Sequence, residues 1–301
     1  KGSTVMDFQE FEQQVSGGKA YGVMVSQNGR LLGKKTWGSD CRRNVYSAAK
    51  SITACAVGFA IQEGLLTLEE PLTSAFAQDL PQMVSDNLAK ATVRDLLTMC
   101  LGQERAEMMA AQRAKYPEQN WVKLSLSFPF VYEPGTHFVY NNVGPYLAGV
   151  LVQRRAGCNL VDYLMPRLFS PLGISRPDWG TDPLGNTFGS SDLLMSLEEF
   201  HQFGLFCLQT GRWEGKQLLH ADWMLECTKK QVENNKDSYG YGYCFWGGPN
   251  DTFRAEGKWG QLSLVDRSKQ AVITVMGDCR QSDQIQALNR AVIHCLYFQL
   301  T

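Results

Sequence analysis

The chain has 301 residues, 44% of them hydrophobic and 20% charged, with a net charge of −1. That length and composition fit one large domain or two smaller ones around a sizeable core, and they exclude a disordered chain. The near-neutral charge argues against nucleic acid and anionic membrane surfaces as partners, since both select a basic face.

The nine cysteines are widely spaced and include no C-x-x-C pair, so zinc and dithiol redox sites lack support. Several sit in apolar runs, such as Phe206-Cys207-Leu208, and read as small hydrophobes. So many unpaired thiols suit a reducing, cytoplasmic compartment. The opening Lys1 to Val5 lacks the apolar core of a signal peptide, although a leader removed ahead of Met6 is compatible with it. No apolar stretch is long enough to span a bilayer.

In chain order, Tyr21 to Trp37 reads as a hairpin, because Asn28-Gly29 tolerates the positive φ values of a tight turn. Ser47 to Glu63 reads as a helix, with Ile52, Ala56, Phe59 and Ala60 at helical spacing and Gly64 as its stop. From Thr67 to Lys230 the signals are mostly helical. Thr92 with Asp95, and Ser196 with Glu199, form capping-box patterns, and Gly157 and Gly211 mark helix ends. Strands are expected at Tyr241–Trp246, Gly260–Val265 and Ala271–Met276, the Trp246–Asp251 stretch being a hairpin connection. A closing helix is expected over Asp283–Tyr297. This order predicts an α+β fold: an antiparallel sheet lobe from residues 1–66 and 231–301, flanked by helices, and a mainly helical lobe from 67–230. A cleft between lobes favours a small-molecule site.

Three motifs carry the chemistry. In Ser47-Ala48-Ala49-Lys50, residues i and i+3 share a helical face, so the lysine reaches the hydroxyl. A serine is a poor nucleophile without an adjacent base, and a desolvated lysine can serve as one. In Tyr140-Asn141-Asn142, a phenol near that lysine can have a lowered pKa and shuttle protons, and Asn142 offers a donor and an acceptor to a substrate amide. Lys258-Trp259-Gly260-Gln261 opens a predicted strand, whose edge can present a backbone N–H to an oxyanion. Each motif taken alone is weak, since a surface lysine, a core tyrosine and an exposed strand lysine are the ordinary readings.

In this order, S-x-x-K, Y-x-N and K-x-G resemble the class C β-lactamase and penicillin-binding-protein group of serine hydrolases. Leu96-Leu97-Thr98-Met99, the Glu133–Gly149 block and Arg167-Leu168-Phe169-Ser170-Pro171-Leu172-Gly173-Ile174 extend the resemblance from about Val23 to Met276. It implies the β-lactamase/transpeptidase fold, with no metal or organic cofactor. It also implies a nucleophile at Ser47, a proton shared by Lys50 and Tyr140, acyl-chain binding by Asn142, and an oxyanion hole from the N–H groups of Ser47 and Gln261. Lys258, Trp259 and Gly260 would border the substrate. Which of Lys50 and Tyr140 is the base stays open, because coupled groups titrate as a pair.

Three departures stand out. Trp259 replaces the usual Thr or Ser of the third motif and removes a hydroxyl that helps bind a β-lactam carboxylate. Gln103 and Asn141 occupy positions that are commonly small. The implied activity is therefore cleavage of an ester or amide in a small molecule or short peptide, esterase- or D-amino-acid-peptidase-like rather than efficient β-lactam hydrolysis. The alternative is a ligand-binding or sensor module that does not turn over. No G-x-S-x-G, H-E-x-x-H or P-loop motif offers another chemistry. Among the histidines, His201 and His294 read as structural, His220 lies near a helix cap, and His137 could line the cleft. Trp121, Phe128, Phe130 and Tyr132 read as lobe packing.

Overall fold

In the computed structural model, residues 5–15 and 19–301 are described; Lys1 to Thr4, most of the segment read above for a signal-peptide core, lie outside them. Both ends of the chain build one six-stranded antiparallel sheet. Its spatial order is Arg30–Thr36, Ala20–Gln27, Ala271–Gly277, Gln261–Asp266, Phe253–Gly257 and Trp246–Gly247. The central register pairs Val23 with Val275 and Val25 with Ile273. The predicted hairpin forms, with Asn28 at φ 51° and Gly29 at φ 75°, the handedness that matches strand twist.

Period-two alternation divides the core between the two faces of the sheet. Val23, Val25, Ile273 and Val275 pack with Phe11 and with Leu288, Val292 and Leu296 of the closing helix. Met24, Val272 and Met276 face the opposite side, where the main core holds Phe200 and Phe203 of helix Leu197–Leu208. Each fully buried aliphatic or aromatic side chain contributes about 1.5–3 kcal/mol. The same core continues from the sheet side chains Phe253, Ala255 and Val265 into a helical lobe that includes helices Val143–Ala156 and Leu160–Leu164.

The helix after Ser47 runs from Ala49 to Gln62 and is buried from Ala49 through Ala60, so it lies inside the molecule rather than half-exposed. Small residues make that possible. A Cβ on Gly58 would lie 2.2 Å from the Trp223 ring, whose Nε1 donates to the Ala54 carbonyl. Both predicted capping boxes form: the Thr92 amide donates to Asp95 at 2.9 Å, and Ser196 and Glu199 exchange side-chain and backbone bonds at 2.9 and 3.1 Å.

Three elements differ from expectation. Of the Tyr241–Trp246 strand only Trp246 joins the sheet, in the two-residue strand Trp246–Gly247. Cys244 sits at φ 63° and its amide donates to the Leu97 carbonyl, so the chain loops into the helical lobe before returning. Phe253–Gly257, to which the sequence pattern assigned no element, forms a sheet strand. The closing helix is α-helical over Ser282–Ala291 and then widens into a π-turn over Val292–Leu296. Among the described residues no helix is long and apolar enough to cross a membrane.

Candidate active site

The turn before Ser47 is built by short-range bonds. The Asn44 side chain accepts the Tyr46 amide at 2.7 Å, and Tyr46 takes a left-handed φ of 50°. A 3-10 turn over Tyr46–Ala48 then leads into the buried helix, which places Lys50 one turn beyond Ser47. Its ammonium donates to Ser47 Oγ at 2.8 Å and to the Ser190 carbonyl at 2.9 Å.

The loop carrying that carbonyl is clamped to the site from several sides. Thr53 donates to the Gly189 carbonyl at 2.7 Å, and the Ser190 hydroxyl donates to the Asn142 carbonyl at 2.6 Å. Asp192, at a left-handed φ of 67°, accepts from Asn44 at 3.2 Å and from Arg113 at 3.0 Å. Non-glycine residues in this conformation persist only where surrounding contacts over-determine them. Here those contacts connect the turn before Ser47, the lysine and the Tyr140–Asn142 segment.

The departures at Gln103 and Asn141 prove to be partners. Buried Asn141 donates to Gln103 Oε1 at 3.1 Å, and its own oxygen accepts the Glu107 and Val143 amides at 2.9 and 3.1 Å. Gln103 in turn donates to the Ser125 carbonyl at 2.7 Å. The pair thus fixes the loop on which Asn142 sits. Asn142 lines the cleft; its Nδ2 donates to the Met108 carbonyl at 3.1 Å, and its Oδ1 is buried without a partner among the described residues. An unsatisfied buried acceptor costs about 1–3 kcal/mol unless a ligand supplies a donor.

The third motif approaches from the sheet. A Cβ on Gly257 would lie 2.0 Å from the Val45 carbonyl oxygen, so only glycine lets this strand end touch the turn before Ser47. Gly257→Ala is expected to lower stability by about 2–4 kcal/mol and turnover by at least about tenfold, because the strand must move away from Ser47. Thermal melts and steady-state rates on one preparation check both. Trp259 at φ 68° and Gly260 at φ 96° turn the chain, and the Gln261 side chain locks the turn by bonding the backbone of Lys258 and Gly277. The Trp259 indole meets Tyr46 edge-on at 5.0 Å and carries Arg280 on its face at 3.5 Å.

Together these elements enclose a cleft of about 510 Å³, which Ser47, Tyr140, Asn142, Lys258, Trp259, Gly260 and Gln261 all line. Lys50 lies beneath it, 1% exposed. Burial pushes Lys50 down to about 7; Cys244 and Asp192 oppose that shift and the Arg113 charge reinforces it. Tyr140 moves opposite to the sequence expectation. Burial holds its phenol well above the ordinary value, and its hydrogen bond with Ser47 only partly compensates. A lysine with a value near 7 has already lost its charge in the alkaline range where a phenol ionises, so it does little to lower the tyrosine.

Trp246, in the stretch read as a hairpin connection, stacks on Tyr140 at 5.3 Å and borders the cleft. Sequence reasoning missed Ser190, Arg113 and Asp192, which no motif marks because they come from segments that reach the site only in the fold. His137 lies outside the cleft, exposed and stacked on Tyr132 at 3.9 Å. His201 is structural: buried between Ser26 and Thr274 at 2.7 and 2.8 Å, it is pushed down to about 4 by burial and stays neutral. Trp121 and Phe130 pack in the main core rather than on the cleft.

Comparison with known proteins places this geometry. The chain is 29% identical over 181 residues to the acyltransferase calJ of Penicillium decumbens, covering 54% of this chain and 43% of the relative. It is 30% identical over 151 residues to the lovastatin esterase of Penicillium rubens, covering 43% of this chain and 37% of the relative. The chain thus matches less than half the length of either. Its fold is shared with a penicillin-binding protein from Bacillus halodurans, at a TM-score of 0.74, 16% identity and coverage of 96% and 99% of the two chains. The Beta-lactamase family model matches residues 8–296, almost the entire chain, and this protein therefore belongs to the beta-lactamase family of serine-hydrolase folds.

Proposed function

We propose that the protein cleaves an ester or amide of a small molecule or short peptide through an acyl-Ser47 intermediate. The observation that carries this reading is the 2.8 Å contact of Ser47 Oγ with a buried lysine held near neutrality. In its neutral form the Lys50 amine takes the hydroxyl proton as Oγ attacks the carbonyl carbon. Tyr140, whose phenol keeps its proton, hands a proton to the departing alcohol or amine and regains one through Lys50. The N–H groups of Ser47 and Gln261 stabilise the oxyanion, and Asn142 Oδ1 accepts a donor from the acyl portion. Water then attacks the acyl-serine and releases the acid.

An ester is the preferred substrate over a β-lactam. Trp259 supplies no hydroxyl, and Met109, Ala110, Trp246 and Ile285 give the cleft apolar walls suited to an acyl chain. The esterase and acyltransferase activities of the two fungal relatives agree with such a substrate.

Intact-protein mass spectrometry after mixing with an activated ester, a fluorophosphonate and a penicillin tests the reading. A Ser47-dependent ester adduct that decays as acid accumulates is the expected result. An adduct that persists would instead make the protein a sensor that acylates once, and absence of any adduct would leave it a binding module.

A further inference from the structure

Behind Trp259 lies a second cavity of about 290 Å³, lined on its far side by Tyr21, Arg43, Asp278 and Arg280. Tyr46, Trp259 and Gln261 line both this cavity and the catalytic cleft. The two spaces therefore meet at the residues that frame Ser47.

The second cavity has a cationic excess, with two guanidiniums facing one carboxylate. Arg280 lies over the Trp259 ring at 3.5 Å and donates through Nε to Asp278 at 2.6 Å. Its two terminal nitrogens have no hydrogen-bond partner among the described residues. Arg43 lies over the Tyr21 ring at 3.7 Å. Its one hydrogen bond is a long one, 3.3 Å to the Ser39 carbonyl, and among the described residues it pairs with no carboxylate. Stacking holds each planar cation by its face and leaves edge N–H donors for a ligand. A carboxylate is the group whose two oxygens fit that fork.

We propose that this cavity is a carboxylate subsite, so that the preferred substrate is an ester or amide with a carboxylate remote from the scissile bond. Arg43 and Arg280 bind that carboxylate while the reacting carbonyl lies at Ser47. Trp259, in place of the smaller hydroxyl residue, forms the wall between the two spaces and the platform that aims Arg280. The inference rests on the hydrolase reading for its reaction, and on the second cavity alone for its ligand.

The test uses matched esters: para-nitrophenyl hexanoate against mono-para-nitrophenyl adipate for a charge on the acyl side, and phenyl hexanoate against para-carboxyphenyl hexanoate for a charge on the leaving side. In at least one pair the wild type is expected to favour the charged ester about tenfold or more in kcat/KM. Arg43→Gln and Arg280→Gln each bring that charged-to-neutral ratio down towards one, through KM. The ratio cancels general damage, and Arg280 is 56% exposed, so its replacement is compatible with folding. Calorimetric titration of Ser47→Ala with the same esters reads the subsite without turnover. No preference in either pair, or a preference that both arginine variants retain, would overturn the subsite. Failure of wild type to hydrolyse any of the esters would instead sink the hydrolase reading, with the titration still deciding the subsite.

Discussion

Ser47→Ala is expected to reduce ester turnover by roughly 10⁴–10⁶-fold while leaving the protein folded. On the proposed mechanism, the large loss follows from removing the atom that forms the covalent intermediate. The small structural effect follows from the local geometry. Lys50 loses one hydrogen bond at 2.8 Å but keeps the Ser190 carbonyl at 2.9 Å, and a single such bond is worth about 1 kcal/mol net. Substrate affinity should survive, since Asn142 and the cleft walls are untouched. Burst and steady-state rates, with a melting curve on the same sample, check this. Residual turnover within about tenfold of wild type would remove Ser47 from the mechanism.

Lys50→Met is expected to lower kcat/KM by at least about 10³-fold and to erase the rise in activity with pH through neutrality. Only the neutral amine can accept the serine proton, so wild-type activity climbs as pH passes about 7. Wild-type stability is expected to change with pH in the same sense. The folded value near 7 lies below the roughly 10.4 of an unfolded lysine. Below about pH 7 both states carry the proton, and the folded state bears the whole cost of burying a cation. Between about 7 and 10.4 the unfolded chain binds more protons, so wild-type stability rises with pH across that window. Methionine removes the buried charge but leaves the Ser190 carbonyl without its donor, which costs about 1–3 kcal/mol. A net stabilisation of roughly 2 kcal/mol near pH 6, shrinking towards pH 9, is expected from denaturant titrations. A neutral-pH activity limb that persists in Lys50→Met would assign the base elsewhere.

The resemblance found in the sequence reaches most of the chain, and the elements it relied on are local. Asn28-Gly29, the two capping boxes and the helix stop at Gly64 depend on φ preferences and on bonds spanning a few residues, so contiguous sequence records them. Where expectation and structure part, distant contacts decide. The Tyr241–Trp246 segment has a strand's composition, yet the Leu97 carbonyl draws its Cys244 amide into the helical lobe. Gln103 and Asn141 looked like unrelated departures because 38 positions separate two side chains that share a hydrogen bond.

The same division runs through the candidate site. Sequence by itself determined which chemical groups were on offer, namely a serine with a lysine one turn away, a tyrosine with an asparagine two residues on, and a strand that opens with Lys258. It also determined the sheet hairpin and the helix caps, since these need only neighbouring residues. Tertiary structure alone decided what those groups can do. The depth at which Lys50 lies sets its proton affinity, and the same burial moves Tyr140 the other way. The Ser190 carbonyl, the Trp246 platform and the paired arginines behind Trp259 come from segments far apart in the chain. Desolvation and charge proximity are properties of a packed volume, and they come into being only when remote segments close around the same space.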